Sequence, residues 1–338
     1  MILLTGATGR LGGEIIRLLR QAQVEVRALV RVGSEYFWLN DTGATYFFGD
    51  LRDPGSLRRA LQGCSHVIHA AGVGMENHAN HHHSTTLEGG LALVDAAENA
   101  GIQHFVQIGC AAVAHSSHVE SLHCQAAVET HLARSPVPHT ILRSAPFLED
   151  LAAIAQGARK TGSAVFWGNG QALISPIARK DLALFAISAL DHPSARDRVL
   201  SIGGPETAPA SDFLTQVCEL EGVSVDSIHS LAGTKRALTR RTISLVLGRR
   251  WQNYIDWRAA LWDIPLPLDG PAVAEVFDLP LTPTRTAMEQ ALEQSHPRED
   301  PTARDERVVH RQFHATVYTP GETPADALPK GPDDRSSV

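Results

Sequence analysis

The residue types best able to do chemistry stand at the start of the chain, where three glycines recur at three-residue spacing. An apolar run, Met1–Leu4, leads directly into the glycine-rich segment Thr5–Gly12. Gly6 permits a tight turn, Gly9 lets backbone N–H groups approach a pyrophosphate, and Gly12 lets the next helix pack close to the strand. The N-terminus of that helix favours an anion. This strand, turn and helix predict a dinucleotide-binding site.

Histidines are the second group of residues that can do chemistry near neutral pH. They crowd one loop and recur on the next loop and helix: His78, His81, His82, His83, His115, His118 and His123. Among them, His123 and His118 are the predicted acid or base. The alternatives are a polar loop that happens to be rich in histidine and a metal site at the first two. No flanking carboxylate pair or cysteine completes a coordination set there, so no metal is predicted.

Composition and charge exclude several classes of protein. The 338 residues carry a formal net charge of −7. A nucleic-acid partner is not expected, because proteins that bind the phosphate backbone usually have an excess of basic residues. Four widely spaced cysteines without a Cys-x-x-Cys pair indicate reduced thiols. We expect no cleavable signal, because the first strand begins at Met1, and no apolar run is long enough to cross a bilayer. A cytoplasmic location is predicted.

Strands and helices alternate along the first half of the chain. Beyond the first strand, β-rich apolar runs predict further strands at 24–30, 44–48, 66–71, 104–108 and 139–142, with helices at 54–62, 86–100 and 119–135. This alternation is typical of right-handed βαβ crossovers on a parallel sheet. The predicted fold class is α/β, a Rossmann-type doubly wound parallel sheet with a smaller C-terminal substrate and helical region.

Three regions are predicted. Residues 1–150 form a dinucleotide-binding Rossmann domain, and residues 151–293 form a substrate-side and helical region interleaved with its core. Residues 294–338 form an extended or disordered tail, because they contain too few large apolar residues to offset their ordering entropy. In the middle region we expect strands at 164–167, 172–177 and 199–202 and helices at 147–159, 180–190 and 208–221, with Asp181 as the cap of a helix at 182–190.

Five segments, in this order and spacing, resemble the atypical short-chain dehydrogenase/reductase superfamily, and specifically its NmrA-like, NAD(P)-binding branch. They are Thr5–Gly12, Ala28–Arg31, Gly49–Pro54, Thr140–Arg143 and Ser175–Ala183. The resemblance covers about residues 1–225. It implies that one turn lies against the adenine and that the end of the fourth strand passes the central part of the cofactor. The predicted cofactor-binding residues are Gly6, Thr8, Gly9, Arg10, Leu11, Gly12, Arg31, Asp50, Leu51, Ala70, Ala71, Gly72 and Gln125.

The end of the second strand bears on the choice between NADP(H) and NAD(H). An acidic residue there would bind an unmodified ribose, but the chain has Arg31. Its guanidinium can pair with a 2′-phosphate, and Arg10 of the glycine loop is expected to close from the other side. NADP(H) is therefore predicted, with NAD(H) as the second choice. The alternative is that Arg31 is only a solvated surface charge.

The proton relay that the resemblance implies has no counterpart in this chain. Reductases of the superfamily usually carry a Tyr-x-x-x-Lys pair on the helix after the fifth strand. Aligning Glu129 with the glutamate that follows the family lysine puts Gln125 at the lysine position and Ser121 at the tyrosine position. Serine is a very weak acid and glutamine carries no charge. The chain is predicted to be an oxidoreductase or isomerase lacking the pair or, alternatively, a non-catalytic dinucleotide-binding sensor or assembly or accessory subunit.

The substrate and partner surfaces are predicted farther along the chain. The resemblance implies that Arg143, Pro146 and Phe147 line the ligand pocket, and Asn169 is expected on the opposing wall. Basic and aromatic residues alternate over Thr234–Trp262. This segment is a packed helical subdomain, a lid over an apolar substrate, or a surface for a partner protein or a peripheral membrane contact. The expected partners are a small-molecule substrate or a protein bound through this segment.

Overall fold

The computed structural model describes residues 1–77, 80–115 and 119–294. Its first half alternates as predicted, and each of its strands ends within two residues of the predicted bounds. The elements are β1 (Ile2–Thr5), α1 (Arg10–Gln21), β2 (Val26–Val30), β3 (Thr45–Phe48), α2 (Pro54–Leu61), β4 (His66–His69), α3 (Gly89–Asn99), β5 (His104–Cys110), α4 (Glu120–Arg134) and β6 (His139–Ser144). A π-helical turn at His82–Glu88 leads into α3.

The second half is richer in helices. Its elements are α5 (Leu148–Thr161), β7 (Ala164–Phe166), β8 (Leu173–Ile174), α6 (Arg179–Ser188), β9 (Arg198–Ile202), β10 (Ala208–Pro209), α7 (Ala210–Glu221), β11 (Ile228–Ser230), α8 (Gly233–Leu247), α9 (Arg249–Asp263), α10 (Gly270–Phe277) and α11 (Thr284–Gln294). The strand predicted at 172–177 is shortened to the two residues of β8, because Pro176 has no N–H to continue the ladder.

Seven parallel strands form the main sheet in the order β3-β2-β1-β4-β5-β6-β9. Ile2 of β1 is paired with Val26 of β2 on one side and with His66 of β4 on the other. The strand order therefore reverses direction at β1, and open α/β sheets bind ligands outside the carboxyl ends of the strands at such a point. The predicted doubly wound fold is confirmed.

Both faces of the sheet are covered by helices, which explains why its inner strands are buried along most of their length. Neighbouring residues of β1 face opposite cores, with Leu4 in the core under α1 and α6 and Leu3 in the core under α2, α3 and α4. A third core joins α5, α7, α9 and α11 around Trp262 and Phe213. The seventh strand, β9, comes from the second half of the chain, and a domain boundary near residue 150 stays a prediction.

Asp181 does not cap a helix as predicted. The helix α6 already begins at Arg179, so Asp181 lies within its first turn. Its two carboxylate oxygens accept hydrogen bonds from the backbone N–H and the hydroxyl of Thr282, at 2.8 and 2.7 Å. Asp181 therefore fastens the segment before α11 to α6. Of the predicted tail, residues 295–338 lie outside the described residues. No helix in the described ranges has the length and apolar character needed to cross a membrane.

Candidate functional site

The turn between β1 and α1 is packed so closely that it requires glycine at two positions. Gly6 has a φ of +75°, and a Cβ on it would lie 2.5 Å from the carbonyl oxygen of Ala70. A Cβ on Gly12 would lie 2.2 Å from the carbonyl oxygen of Gly6. The helix α1 begins after Gly9 without a side-chain cap, so its first N–H groups can face an anion. This geometry fits a dinucleotide pyrophosphate.

A cavity of about 300 Å³ adjoins this turn on the side of β2 and β3. Most of the predicted cofactor residues line it: Gly6, Thr8, Gly9, Arg31, Asp50, Leu51, Ala70, Ala71 and Gly72. The remaining ones, Arg10, Leu11, Gly12 and Gln125, line a second cavity of about 510 Å³. The two cavities share the glycine turn and residues 72–74. They form one groove along the carboxyl ends of the strands.

Charged groups stand at the outer end of the first cavity. Arg31 donates a hydrogen bond from Nη1 to Oδ1 of Asn80. Asp50 accepts hydrogen bonds from Nε and Nη2 of Arg52 at 2.9 and 2.6 Å, and these bonds hold the pKa of Asp50 below its usual value. Arg10 is exposed and is not among the residues that line this cavity. A phosphate contact shared by Arg10 and Arg31 stays a prediction.

The two positions of the missing proton relay differ in their surroundings. Gln125 lines the second cavity, and its Oε1 accepts the backbone N–H of Cys110 at 3.1 Å. Ser121 is 3% exposed and is not among the lining residues. His123 is exposed on α4 and is likewise absent from the cavity wall. His118 lies outside the described residues, so a catalytic role for either histidine stays a prediction.

The thiol and the hydroxyl in the wall of the second cavity are poorly suited to acid–base work near pH 7. Burial raises the pKa of the Cys110 thiol to about 11, so the group is protonated at neutral pH and is a poor nucleophile. The Ser144 hydroxyl donates to the carbonyl oxygen of Ala145 at 2.6 Å. The wall contains no histidine among the residues that the structure describes. Apart from Asp150, whose carboxylate accepts a hydrogen bond from Arg179, the described part of the wall therefore offers apolar surface and hydrogen bonds.

Asp150 joins two aromatic walls of the second cavity. It accepts a hydrogen bond from Nη2 of Arg179 at 2.8 Å and lies 3.7 Å from Nη1 of Arg258. The Arg179 guanidinium lies over the Phe147 ring, 5.2 Å from its centroid, and that of Arg258 lies 5.8 Å from the centroid of the Trp257 ring. Our sequence reasoning missed this group, although the first turns of α5 and α6 carry an acidic and a basic residue at the carboxyl side of the sheet.

Two of the four predicted substrate residues are in the wall of the second cavity and two are not. Pro146 and Phe147 line it. Arg143 is instead held by the buried Glu129, whose Oε2 accepts hydrogen bonds from its Nε and Nη2 at 2.9 and 2.7 Å. Asn169 is exposed, and its Oδ1 accepts the backbone N–H of Gln171. A substrate contact of Arg143 or Asn169 stays a prediction.

The basic and aromatic segment folds into α8 and α9. From α9, Trp257 and Leu261 line the second cavity, which supports the interpretation of this segment as a cover for an apolar substrate. Ion pairs hold the two helices together, with Asp256 accepting hydrogen bonds from Nε and Nη2 of Arg240 at 2.7 and 2.9 Å. The side chains of Leu238 and Leu245 on α8 are exposed.

A metal site is not found among the described side chains, since no three His, Cys, Asp or Glu residues are arranged to hold an ion there. His78 of the pair considered above lies outside those residues. Of its neighbours, His82 is buried, and its backbone N–H donates to Oε1 of Glu76 at 3.0 Å. His82 therefore has a contact that its position in a polar loop did not indicate.

Relatives of known function include enzymes and an assembly factor. The chain is 28% identical over 240 residues to the NAD(P)H azoreductase of Xenophilus azovorans, covering 71% of this chain and 80% of the relative. It is 26% identical over 259 residues to the Photosystem II assembly factor Ycf39 of Guillardia theta, covering 76% of this chain and 78% of the relative.

Solved structures share the fold. The NADPH-dependent quinone oxidoreductase QOR2 of Escherichia coli, complexed with NADPH, superposes with a TM-score of 0.68 at 19% identity over 86% of this chain and 99% of its own. The Citrobacter triphenylmethane reductase complexed with NADP(H) gives a TM-score of 0.66 at 21% identity, covering 86% of this chain and 100% of its own. The sequence profile of the family described as NAD(P)H-binding matches residues 6–193, more than half of the chain. Together with the glycine turn and the groove, this match confirms the resemblance: the chain belongs to the NAD(P)H-binding family of reductase-like proteins.

Proposed function

We propose that this protein is an NADPH-dependent reductase of conjugated acceptors such as quinones, enones and azo compounds, and that it works without a side-chain proton donor. The main support is the wall of the second cavity, which adjoins the dinucleotide groove and presents aromatic surface. Among the residues that the structure describes, this wall holds no histidine, its thiol is protonated at neutral pH, and its one carboxylate, Asp150, accepts a hydrogen bond from Arg179. Bound nicotinamide supplies a hydride, two electrons with one proton, and the second proton of the reduced product comes from water.

The class of acceptor follows from this lack of an acid. Reduction of an isolated carbonyl leaves an alkoxide, which requires a well-placed proton donor. Reduction of a quinone, enone or azo bond leaves a charge spread over a conjugated system, which persists until water protonates it. Phe147 and Trp257 supply flat apolar surface to such a molecule. An isomerase that moves protons would need both an acid and a base on the same wall, whereas the one carboxylate there, Asp150, is paired with Arg179.

The chain's own residues hold and orient the dinucleotide. The N–H groups at the start of α1 bind the pyrophosphate. Arg31 binds the 2′-phosphate, which is our reason for placing NADPH before NADH. Gln125, whose carbonyl oxygen is held by the N–H of Cys110, has two amide N–H donors for ribose hydroxyls. It thereby takes the anchoring role, though not the charge, of the lysine in related reductases.

The proposal is tested by titrating purified protein with NADPH and NADH and then following nicotinamide oxidation with quinones, enones, azo dyes and saturated aldehydes. We expect tighter binding of NADPH, turnover of the conjugated acceptors and no turnover of the aldehydes. The variant His123→Gln distinguishes the proposed mechanism from acid–base catalysis by His123. If His123 is not the catalytic acid or base, the variant should have the same pH–rate profile as the parent protein. Turnover of aldehydes, or loss of turnover in this variant, would contradict it.

A second candidate function, a dinucleotide-binding assembly subunit, is favoured by the surface of α8. This helix has no acidic residue. It exposes Leu238 and Leu245 to 69% and 80%, and it also carries the exposed cations Lys235 and Arg241. Such a face suits an acidic partner protein. Tight NADPH binding without turnover of any acceptor would favour this function. For either function we propose a cytoplasmic location, because the four cysteines of the protein are free thiols.

A further inference from the structure

One carboxylate links the segment that borders the dinucleotide groove to the helix α9. Gly72, Val73, Gly74 and Met75 line the first cavity, and Glu76 follows them directly. Glu76 is only 8% exposed. Its Oε1 accepts the backbone N–H of His82 at 3.0 Å, and its Oε2 accepts a hydrogen bond from Nδ2 of Asn253 at 2.9 Å. The segment that borders the groove is therefore fastened to α9.

Asn253 contacts a second carboxylate at the same time. Its Nδ2 donates to Oε2 of Glu120, in the first turn of α4, at 2.8 Å. A side-chain amide nitrogen carries two N–H donors and no charge, so it can bridge two carboxylates that would otherwise repel each other. An aspartate in its place would add a third negative charge. The residue type, and not only the size, of Asn253 is therefore suited to this junction.

The bridging residue shares one face of α9 with the wall of the second cavity. Asn253, Trp257 and Leu261 follow one another at four-residue spacing, which places them one above the other along the helix. Trp257 and Leu261 line the cavity, whereas Asn253 does not. A displacement of Glu76 therefore acts on α9 through Asn253, one turn away from the residue that faces the acceptor.

We propose that Asn253 is a positioning residue that transmits occupancy of the dinucleotide groove to α9, so that the protein orders its acceptor wall only after the cofactor has bound. This inference deepens the proposed function and rests on its assignment of the second cavity to the acceptor. It names the contact through which one site acts on the other.

Amide hydrogen exchange, measured on the full chain with and without saturating NADPH, tests the inference without any turnover. We expect NADPH to slow exchange both in residues 6–13 and in residues 249–256, the half of α9 that does not line the cavity. In Asn253→Ala and in Asn253→Asp, the slowing at 249–256 should fall at least about tenfold, the factor that corresponds to about 1.4 kcal/mol, whereas that at 6–13 should remain.

Asp256→Asn is the matched control, because it breaks the ion pair between α9 and α8 without touching Glu76. It should keep the slowing at 249–256. Slowing that persists there in both Asn253 variants, or that is absent there in the parent protein, would overturn the inference. Absence of slowing at residues 6–13 in the parent would instead overturn dinucleotide binding itself, and the two failures are therefore distinguishable. The two substitutions at Asn253 differ in size and charge, so misfolding of one leaves the other as the test.

Discussion

Arg143 holds the buried carboxylate of Glu129 through two hydrogen bonds of 2.9 and 2.7 Å, on the helix α4 that faces the end of β5. Glu129 has a side chain only 4% exposed, and its burial raises its pKa while the guanidinium lowers it. A Cβ at Gly109 would lie 2.7 Å from Oε1 of Glu129. The pair therefore fixes how closely α4, which carries Gln125, approaches the strand beside the second cavity.

Replacing Arg143 with methionine should destabilise the protein by about 3 kcal/mol, because it leaves a buried carboxylate without its partner. The measurement is urea unfolding at pH 7.5 followed by circular dichroism. Arg17→Met is the matched control, since its ion pair with Glu14 is exposed and should contribute less than about 1 kcal/mol. Equal effects of the two substitutions would show that the Glu129 pair has no special role.

Gly12→Ala should weaken NADPH binding at least about tenfold, because the new Cβ would lie 2.2 Å from the carbonyl oxygen of Gly6 and must displace the anion-binding turn. Gly157→Ala is the control within another helix, where the nearest atom is 4.0 Å away. It should leave the affinity unchanged and stabilise the protein by up to about 1 kcal/mol. Nicotinamide fluorescence titration measures both affinities, and an unaffected Gly12 variant would contradict the assignment of the turn.

Arg31→Met should raise the Kd for NADPH by about tenfold to a hundredfold and leave that for NADH nearly unchanged, because a hydrogen bond to a charged group contributes about 1.5–3 kcal/mol. Arg58→Met, at an exposed position in the last turn of α2 and outside the cavity wall, serves as a control for the loss of one surface charge. The two Kd values are read from nicotinamide fluorescence at constant ionic strength. An equal loss of affinity for NADPH and NADH would mean that Arg31 supports the cavity but does not recognise the 2′-phosphate.

The buried His69 is expected to make the protein less stable as the pH is lowered. It is 2% exposed and shares a hydrogen bond with the Thr5 hydroxyl at 2.5 Å, and burial lowers its pKa from 6.5 to about 4. Above pH 6.5 the imidazole is neutral in both the folded and the unfolded chain, so its full contribution is present there. Between pH 6.5 and 4 only the unfolded chain binds the proton, and stability falls by up to about 1.4 kcal/mol per pH unit.

The free energy of unfolding, measured by urea titration from pH 7.5 to 4.5, checks this expectation. In His69→Asn the slope between pH 6.5 and 4.5 should decrease by up to about 1.4 kcal/mol per unit, because the replacement does not titrate. His123→Asn, at an exposed position, should keep the parent slope. If the two variants give the same slope, His69 is not the group responsible.

The fold and the dinucleotide groove were predictable because their signals are local. The glycine spacing and the strand–helix alternation act within a few residues. The remaining cofactor residues were predicted from the family resemblance, and all the predicted ones line the groove. The face of α4 that meets the sheet was less evident, because Gln125 and Glu129 contact β5 while the neighbouring His123 points outward. Of the acceptor wall, the resemblance implied Phe147, and a lid formed by the segment of Trp257 was one interpretation of its sequence. Arg179 was not predicted there, since the three residues come from distant segments that only tertiary packing brings together.

Asp150→Asn should change the selectivity of the acceptor cavity rather than its affinity for the cofactor. The parent carboxylate forms ion pairs with both Arg179 and Arg258, whose side chains are only 11% and 14% exposed. The amide keeps the size of the side chain but leaves both cations without their shared anion, so the wall gains one unit of positive charge. A sulfonated azo dye should then gain about tenfold in kcat/KM relative to a neutral quinone, and this preference should weaken as salt is added. Asp212→Asn, in the first turn of α7 at a site outside the wall, is the control. If the ratio of the two kcat/KM values and the Kd for NADPH are both unchanged in Asp150→Asn, the acceptor does not bind between the two aromatic walls that Asp150 joins.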